Sequence, residues 1–257
     1  MLYERVEEAM SAMPADDTTS PKSAGEEAHV AEHRWALVIG VNKTASSLFA
    51  PLRNAEQDAL NIAAILQEQA CGFRLWQSPL VGEQATSDAI KRAIRAFGKE
   101  RSEEDFLLLY FSGHGLMRPG EADEQMVYLG SADFVESDPE EEAETYISLK
   151  WLRRWLYEKT DAKRVLLILD CCFGGEMGRM APDHYLKDLR DRIRFYFEGP
   201  GASSDARWGG LRLTLTATGH LTPASDEDGQ KRMAEHLLPA LQGKIVSSQF
   251  LGERKTR

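Results

Sequence analysis

The chain has 257 residues, 42% of them hydrophobic, enough for one large domain or two small ones with a full apolar core. Its 41 acidic residues outnumber 31 basic ones for a net charge of −10, which argues against an electrostatic nucleic-acid binder and a polybasic membrane clamp. The longest apolar runs, at 106–111 and 165–169, fall far short of the roughly 20 residues of a membrane span, and no signal h-region opens the chain; the expected location is cytoplasmic.

Three cysteines, with Cys171 and Cys172 adjacent, exclude a disulfide framework, so a cysteine that matters is expected to matter as a thiol. Residues 1–33 read as a short helix with Leu2, Val6, Met10 and Met13 on one face, followed by a linker over 14–29 that has two prolines and no large apolar side chain. Residues 34–257 are expected to form the main domain.

From Trp35 onward, short apolar runs alternate with amphipathic segments. Residues 35–41 read as a buried strand, and Ala59, Ile62, Ala63 and Leu66 then recur at helical spacing. A weak strand at 73–76 precedes a helix with Ile90, Ala93, Ile94 and Phe97 on one face and Thr86 or Ser87 as its cap. Further strands are expected at 106–111, 126–129, 164–169 and 211–217, with a helix at 149–157. This alternation predicts an α/β fold in three layers, a mostly parallel central sheet with helices on both faces. The segment 136–144, acidic at six of nine positions, reads as a solvated loop, and 176–210 as a long mobile connection.

In open α/β sheets the ligand crevice lies at the carboxyl ends of the strands. One strand there runs into Ser112-Gly113-His114-Gly115, which is expected to form a turn with an imidazole between two glycines. Another runs into Asp170-Cys171-Cys172-Phe173-Gly174-Gly175, expected to be a turn of the same kind carrying thiols. A His and a Cys at two strand ends of one parallel sheet are the parts of a Cys-His dyad, in which the imidazole takes the thiol proton and the thiolate attacks a carbonyl. Neighbouring amide N–H groups are the donors an oxyanion needs. His33, His184, His220 and His236 sit in no metal-ligand spacing, and no metal or cofactor is expected. A flavodoxin-like nucleotide domain would share the sheet, but Gly40-Val-Asn42-Lys43-Thr44 is neither a phosphate loop nor an acidic cluster.

The two motifs, with their order and spacing of 58 residues, resemble the caspase-like cysteine peptidases, the peptidase C14 group of caspases, metacaspases and bacterial orthocaspases. The resemblance covers about residues 34–243, including residues 35–42 as the family's first strand and 52–59 as the start of its first helix. It implies that Cys172 is the nucleophile, Cys171 its neighbour and His114 the base, with the amides of Gly113 and Cys172 as the oxyanion hole. Asp two residues before the nucleophile is similar to the metacaspase form of the motif. On that likeness Asp58, Asp170 and Ser112 form an acidic pocket for the residue before the scissile bond, the S1 pocket. A desolvated carboxylate pair favours a cationic side chain and rejects an acidic one, so the charges alone point the same way.

The implied function is a cysteine endopeptidase cutting after Arg or Lys, a proteolytic effector in bacterial defence or cell death. Its partners would be a protein or peptide substrate and a regulatory protein, not nucleic acid and not a membrane. The alternatives are a protease cutting after Asp, with Arg53 as the gripping residue, and a catalytically silent caspase-like assembly module. The residues after the nucleophile depart from the metacaspase His-Ser-Gly, and Gly178-Arg179 stands where some relatives have calcium-binding acids, so no calcium site is expected. The segment 176–210 carries Arg179, Lys187, Arg190, Arg192, Arg194 and Arg207, which makes it a candidate for self-cleavage. Residues 229–243 loosely resemble the family's last helix.

Overall fold

The computed structural model describes residues 33–47, 49–68, 71–99, 101–119, 125–135, 145–172 and 212–216. The expected N-terminal helix and linker, the acidic segment 136–144, the connection 176–210 and the helix at 229–243 lie outside the described residues.

Strand β1 (Arg34–Gly40) is apolar nearly throughout because both its faces are covered. Leu37 and Ile39 turn to one core layer with Val41, which follows the strand, while Ala36 and Val38 turn to the other. Helix α1 (Ala55–Leu66) follows, and its start is tied to the end of β1 by a reciprocal pair. The Asn42 N–H donates to Glu56 Oε1 at 3.2 Å, and the Glu56 N–H donates to Asn42 Oδ1 at 3.1 Å. Gly40 is required at this approach: a Cβ there would stand 2.7 Å from the Ala55 carbonyl oxygen and from Ala59 Cβ.

Short strands β2 (Arg74–Leu75) and β3 (Leu80–Val81) pair in parallel with β1. Helix α2 (Ser87–Gly98) is capped by Thr86, whose hydroxyl accepts from the Ala89 N–H, and it buries Ile90, Ala93, Ile94 and Phe97 as the spacing predicts. Next come β4 (Phe106–Pro119), β5 (Gln125–Gly130) and β6 (Tyr146–Ser148). Helix α3 (Leu149–Arg153) then passes into one π turn at Arg154–Glu158, where the sequence pattern predicts uninterrupted α-helix. Strands β7 (Arg164–Cys172) and β8 (Arg212–Thr216) complete the described chain.

The parallel part of the sheet runs β2/β3, β1, β4, β7, β8, and β5 and β6 add antiparallel to the far end of β4. One core layer packs α2 and α3 on Leu37, Ile39, Leu107, Leu109, Leu167 and Leu169. The opposite layer packs α1 on Ala36, Val38, Leu108, Tyr110 and Ile168. The mostly parallel sheet with helices on both faces is therefore observed as expected. Among the described residues no helix is long and apolar enough to cross a membrane.

Two strands are longer than the sequence suggests. Ser112-Gly113-His114-Gly115 and Asp170-Cys171-Cys172 are not turns but continuations of β4 and β7. The ladder persists because Ser112, Gly113 and His114 stay in register with Asp170, Cys171 and Cys172, and at Gly115 strand β4 changes partner to Leu129 of β5. Apolar runs mark where a strand is covered on both faces; they do not mark where its ladder stops.

Candidate active site

The site is built where β4 leaves β7 for β5. His114 and Cys172 are register partners across the parallel β4–β7 ladder, which sets their backbones side by side at the strand spacing of about 4.8 Å. At Cys172 the structure describes the backbone; at Cys171 it describes the side chain as well. Cys171 is fully buried and belongs to the core layer with Leu167, Leu169 and Val41, on the α2 and α3 side of the sheet. Its side chain is part of that core.

His114 is buried, with 6% of its surface exposed. Its ring is held by the segment between β1 and α1: Nε2 lies 3.0 Å from the Ala50 carbonyl oxygen, and the Phe49 ring stacks on it with centroids 4.7 Å apart. A carbonyl only accepts, so this hydrogen bond requires the proton on Nε2 and leaves Nδ1 as the ring's basic atom. Phe49 is itself backed by Phe134, and Phe134 by Tyr146, so the stacking face rests on a packed aromatic cluster.

Gly113 separates the histidine from the core. A Cβ at this position would meet the Phe111 ring at 3.0 Å and Val41 Cβ at 3.4 Å, so its side of the strand is already filled. The Ser112 carbonyl accepts from the Val41 N–H at 2.9 Å, which ties the end of β1 to the histidine strand.

The second feature is a buried carboxylate pair on the α1 side of the sheet. Asp170 is fully buried on β7, and Asp58 is 8% exposed in the first turn of α1. The Tyr110 hydroxyl donates to Asp170 Oδ2 at 2.9 Å, while Asp170 Oδ1 has no hydrogen-bond partner among the described residues. Burial pushes the Asp170 carboxyl up to about 7; the Tyr110 hydrogen bond pulls against this rise and the charge of Asp58 adds to it. Ser112 is the register partner of Asp170. Of the three positions expected to line an S1 pocket, Ser112 and Asp170 thus stand two residues before His114 and Cys172 on β4 and β7, and Asp58, on α1, is near enough for its charge to act on Asp170. Arg53, expected to grip an acidic residue in the alternative reading, lies exposed before α1.

Sequence reasoning missed three groups that shape this site. The Ala50 carbonyl and the Phe49 ring lie in an irregular segment where neither spacing nor residue type reveals a contact with His114. Tyr110 stands within the apolar run of β4, and its one signal is a phenol hydroxyl in a layer of Leu, Val and Ala, which must find a polar partner.

A family model described as the caspase domain, peptidase C14, matches residues 33–239. No curated protein matches the sequence. Among solved structures, the crystal structure of protein GSU0716 from Geobacter sulfurreducens is similar at 21% identity with a TM-score of 0.44, over 83% of this chain and 66% of that one. The chain thus spans just under two thirds of that protein's length. The family match begins one residue before β1 and runs through both dyad positions and past β8: the chain belongs to the caspase domain family.

Proposed function

We propose that the protein is a cysteine endopeptidase that cleaves after Arg or Lys, acting as a proteolytic effector of the kind the family supplies to defence and cell-death responses. The observation that carries this reading is the register pairing of His114 with Cys172, beside an imidazole whose Nε2 is engaged by the Ala50 carbonyl.

In this mechanism Nδ1 of His114 takes the proton of the Cys172 thiol, and the thiolate attacks the scissile carbonyl carbon. The carbonyl π bond opens, and the oxyanion is held by the amide N–H groups of Gly113 and Cys172. Collapse of the tetrahedral intermediate breaks the C–N bond while His114 returns the proton to the departing amine. Water, deprotonated by the same imidazole, then hydrolyses the thioester and restores the thiol. The substrate's cationic side chain enters the pocket of Asp58, Asp170 and Ser112, where a buried carboxylate pair attracts one positive charge and repels a negative one.

The experiment is turnover of fluorogenic peptides that differ only in Arg, Lys or Asp before the reporter. The expected order is Arg and Lys far above Asp. Turnover of the Asp peptide with Arg and Lys ignored would replace the basic pocket with the alternative specificity. No turnover of any peptide, with the thiol unreactive to iodoacetamide, would favour the silent assembly module.

A further inference from the structure

The Tyr110 phenol occupies a place that packing alone does not explain. Tyr110 is fully buried in the core layer formed with Ala36, Val38, Ile62 and Ile168, where a phenylalanine would fill the same volume. Its hydroxyl ends on Asp170 Oδ2 at 2.9 Å, from the adjacent strand and two residues short of the register pair Ser112 and Asp170. A carboxylate with no exposure is costly unless its oxygens are bonded. Here one oxygen is bonded by Tyr110 and the other has no partner among the described residues.

Resting on the reading of Asp170 as part of the S1 pocket, we infer that Tyr110 is a specificity-positioning residue, whose hydroxyl fixes the Asp170 carboxylate on one oxygen and so presents the other to the cationic side chain of the substrate. Tyr110 touches no reacting atom and acts through Asp170. Its geometry suits this role, because a phenol on a strand has two torsions, both locked by core packing, and the carboxylate plane it fixes does not swing. The phenol also stays a donor, because burial first, and then the charge and hydrogen bond of Asp170, raise its own pKa well above the ordinary value.

The hydrogen bond favours the charged form of Asp170 against its burial. Among the described residues, the groups that act on the Asp170 carboxyl are Tyr110 from β4 and Asp58 from α1; along the backbone, Cys172 follows two residues on in β7, and β8 brings Arg212 into register with Val165, at the other end of the ladder. Removing the hydroxyl therefore leaves the burial and Asp58 unopposed, and the carboxyl titrates at higher pH.

The test compares the full chain with Tyr110→Phe, which keeps the core volume. kcat and KM for an Arg peptide are measured from pH 5.5 to 9, beside the rate at which iodoacetamide alkylates Cys172, a reaction that does not use the S1 pocket. At pH 7 the expected result is a rise of about tenfold in KM with kcat changed little. The acid limb of kcat/KM should move upward in pH while the alkylation profile stays in place. In an Asp170→Asn background the same Tyr110→Phe change should add nothing further to KM. Superimposable kcat/KM profiles for wild type and Tyr110→Phe would overturn the inference and leave the basic-specific protease standing. Equal losses in peptide turnover and in alkylation would also overturn it, by showing a general disturbance of the fold. A wild type that alkylates normally but ignores Arg and Lys peptides would bring down the S1 reading itself, and this inference with it.

Discussion

His114 and Cys172 are register partners across β4 and β7, while Cys171, one residue earlier, pairs with Gly113 and buries its side chain in the core layer beneath α2 and α3. The Cys171 thiol is thereby taken into the core, and the nucleophile's role is proposed for Cys172. Cys172→Ala and His114→Ala should each abolish peptide hydrolysis, and the double variant should be no worse than either, because dyad members act as a unit. Cys171→Ala should retain a substantial part of the activity and instead lose about 1 kcal/mol of stability from a small core cavity. Active-site titration and urea unfolding of the four proteins check both halves. Loss of activity at 171 with retention at 172 would reverse the register argument.

The carboxylate pair predicts selectivity. Asp170→Asn and Asp58→Asn should each lower kcat/KM for Arg peptides by about 10- to 100-fold, the equivalent of roughly 1.5–3 kcal/mol for a lost charge-assisted hydrogen bond. The effect should fall mainly on KM, since the pocket binds the side chain and not the reacting carbonyl. Unchanged Arg turnover in both variants would remove these residues from the pocket.

The close approach of β1 to α1 predicts a stability effect that reaches the site. In Gly40→Ala the new methyl would meet backbone, the Ala55 carbonyl oxygen at 2.7 Å and Glu56 Cα at 2.9 Å, as well as the Ala59 methyl at 2.7 Å, so α1 must move away from the sheet. Overpacking of this kind costs about 1–3 kcal/mol. Since Asp58 sits in the first turn of that helix, KM for Arg peptides should rise together with the loss of stability. Urea unfolding and peptide kinetics on one preparation measure both; a stable variant with unchanged KM would show that the helix start yields without shifting Asp58.

Much of this arrangement is legible in the residues alone, for physical reasons that also mark its limit. Strands buried on both faces are continuous apolar runs, so β1, β4 and β7 stand out, and the stripe Ile90, Ala93, Ile94 and Phe97 marks α2. Ser112-Gly113-His114 and Asp170-Cys171-Cys172 stand out as polar residues after such runs, but their pairing as extended strand depends on a register between segments 58 residues apart. Composition does not encode that register locally. The hold on His114 is less visible still, because a backbone carbonyl belongs to every residue and only the fold brings that of Ala50 to Nε2. The π turn at Arg154–Glu158 likewise leaves no trace in the spacing of apolar side chains.

The burial of Asp170 makes a further prediction, in the dependence of stability on pH. Its carboxyl has an ordinary value of 3.8 and is pushed to about 7 in the folded chain, chiefly by burial. Below pH 3.8 the group is protonated in both states and contributes no difference. Between 3.8 and about 7 the folded chain holds a proton that the unfolded chain has released, so stability falls as pH rises through this window and levels off above it. A rise of this size corresponds to at most on the order of 4 kcal/mol. Asparagine keeps an acceptor for the Tyr110 hydroxyl without the charge, so Asp170→Asn should be more stable than wild type at pH 8, by about 2–4 kcal/mol, and the advantage should shrink steadily towards pH 4. Urea unfolding at pH 4, 6 and 8 measures the gap, and a gap that does not change with pH would mean that Asp170 is not charged at a cost in the fold. The same variant is expected to lose Arg selectivity, so the carboxylate would lower stability at neutral pH while supplying the charge that a cationic substrate needs, the exchange expected where a polar group is buried for binding and not for folding.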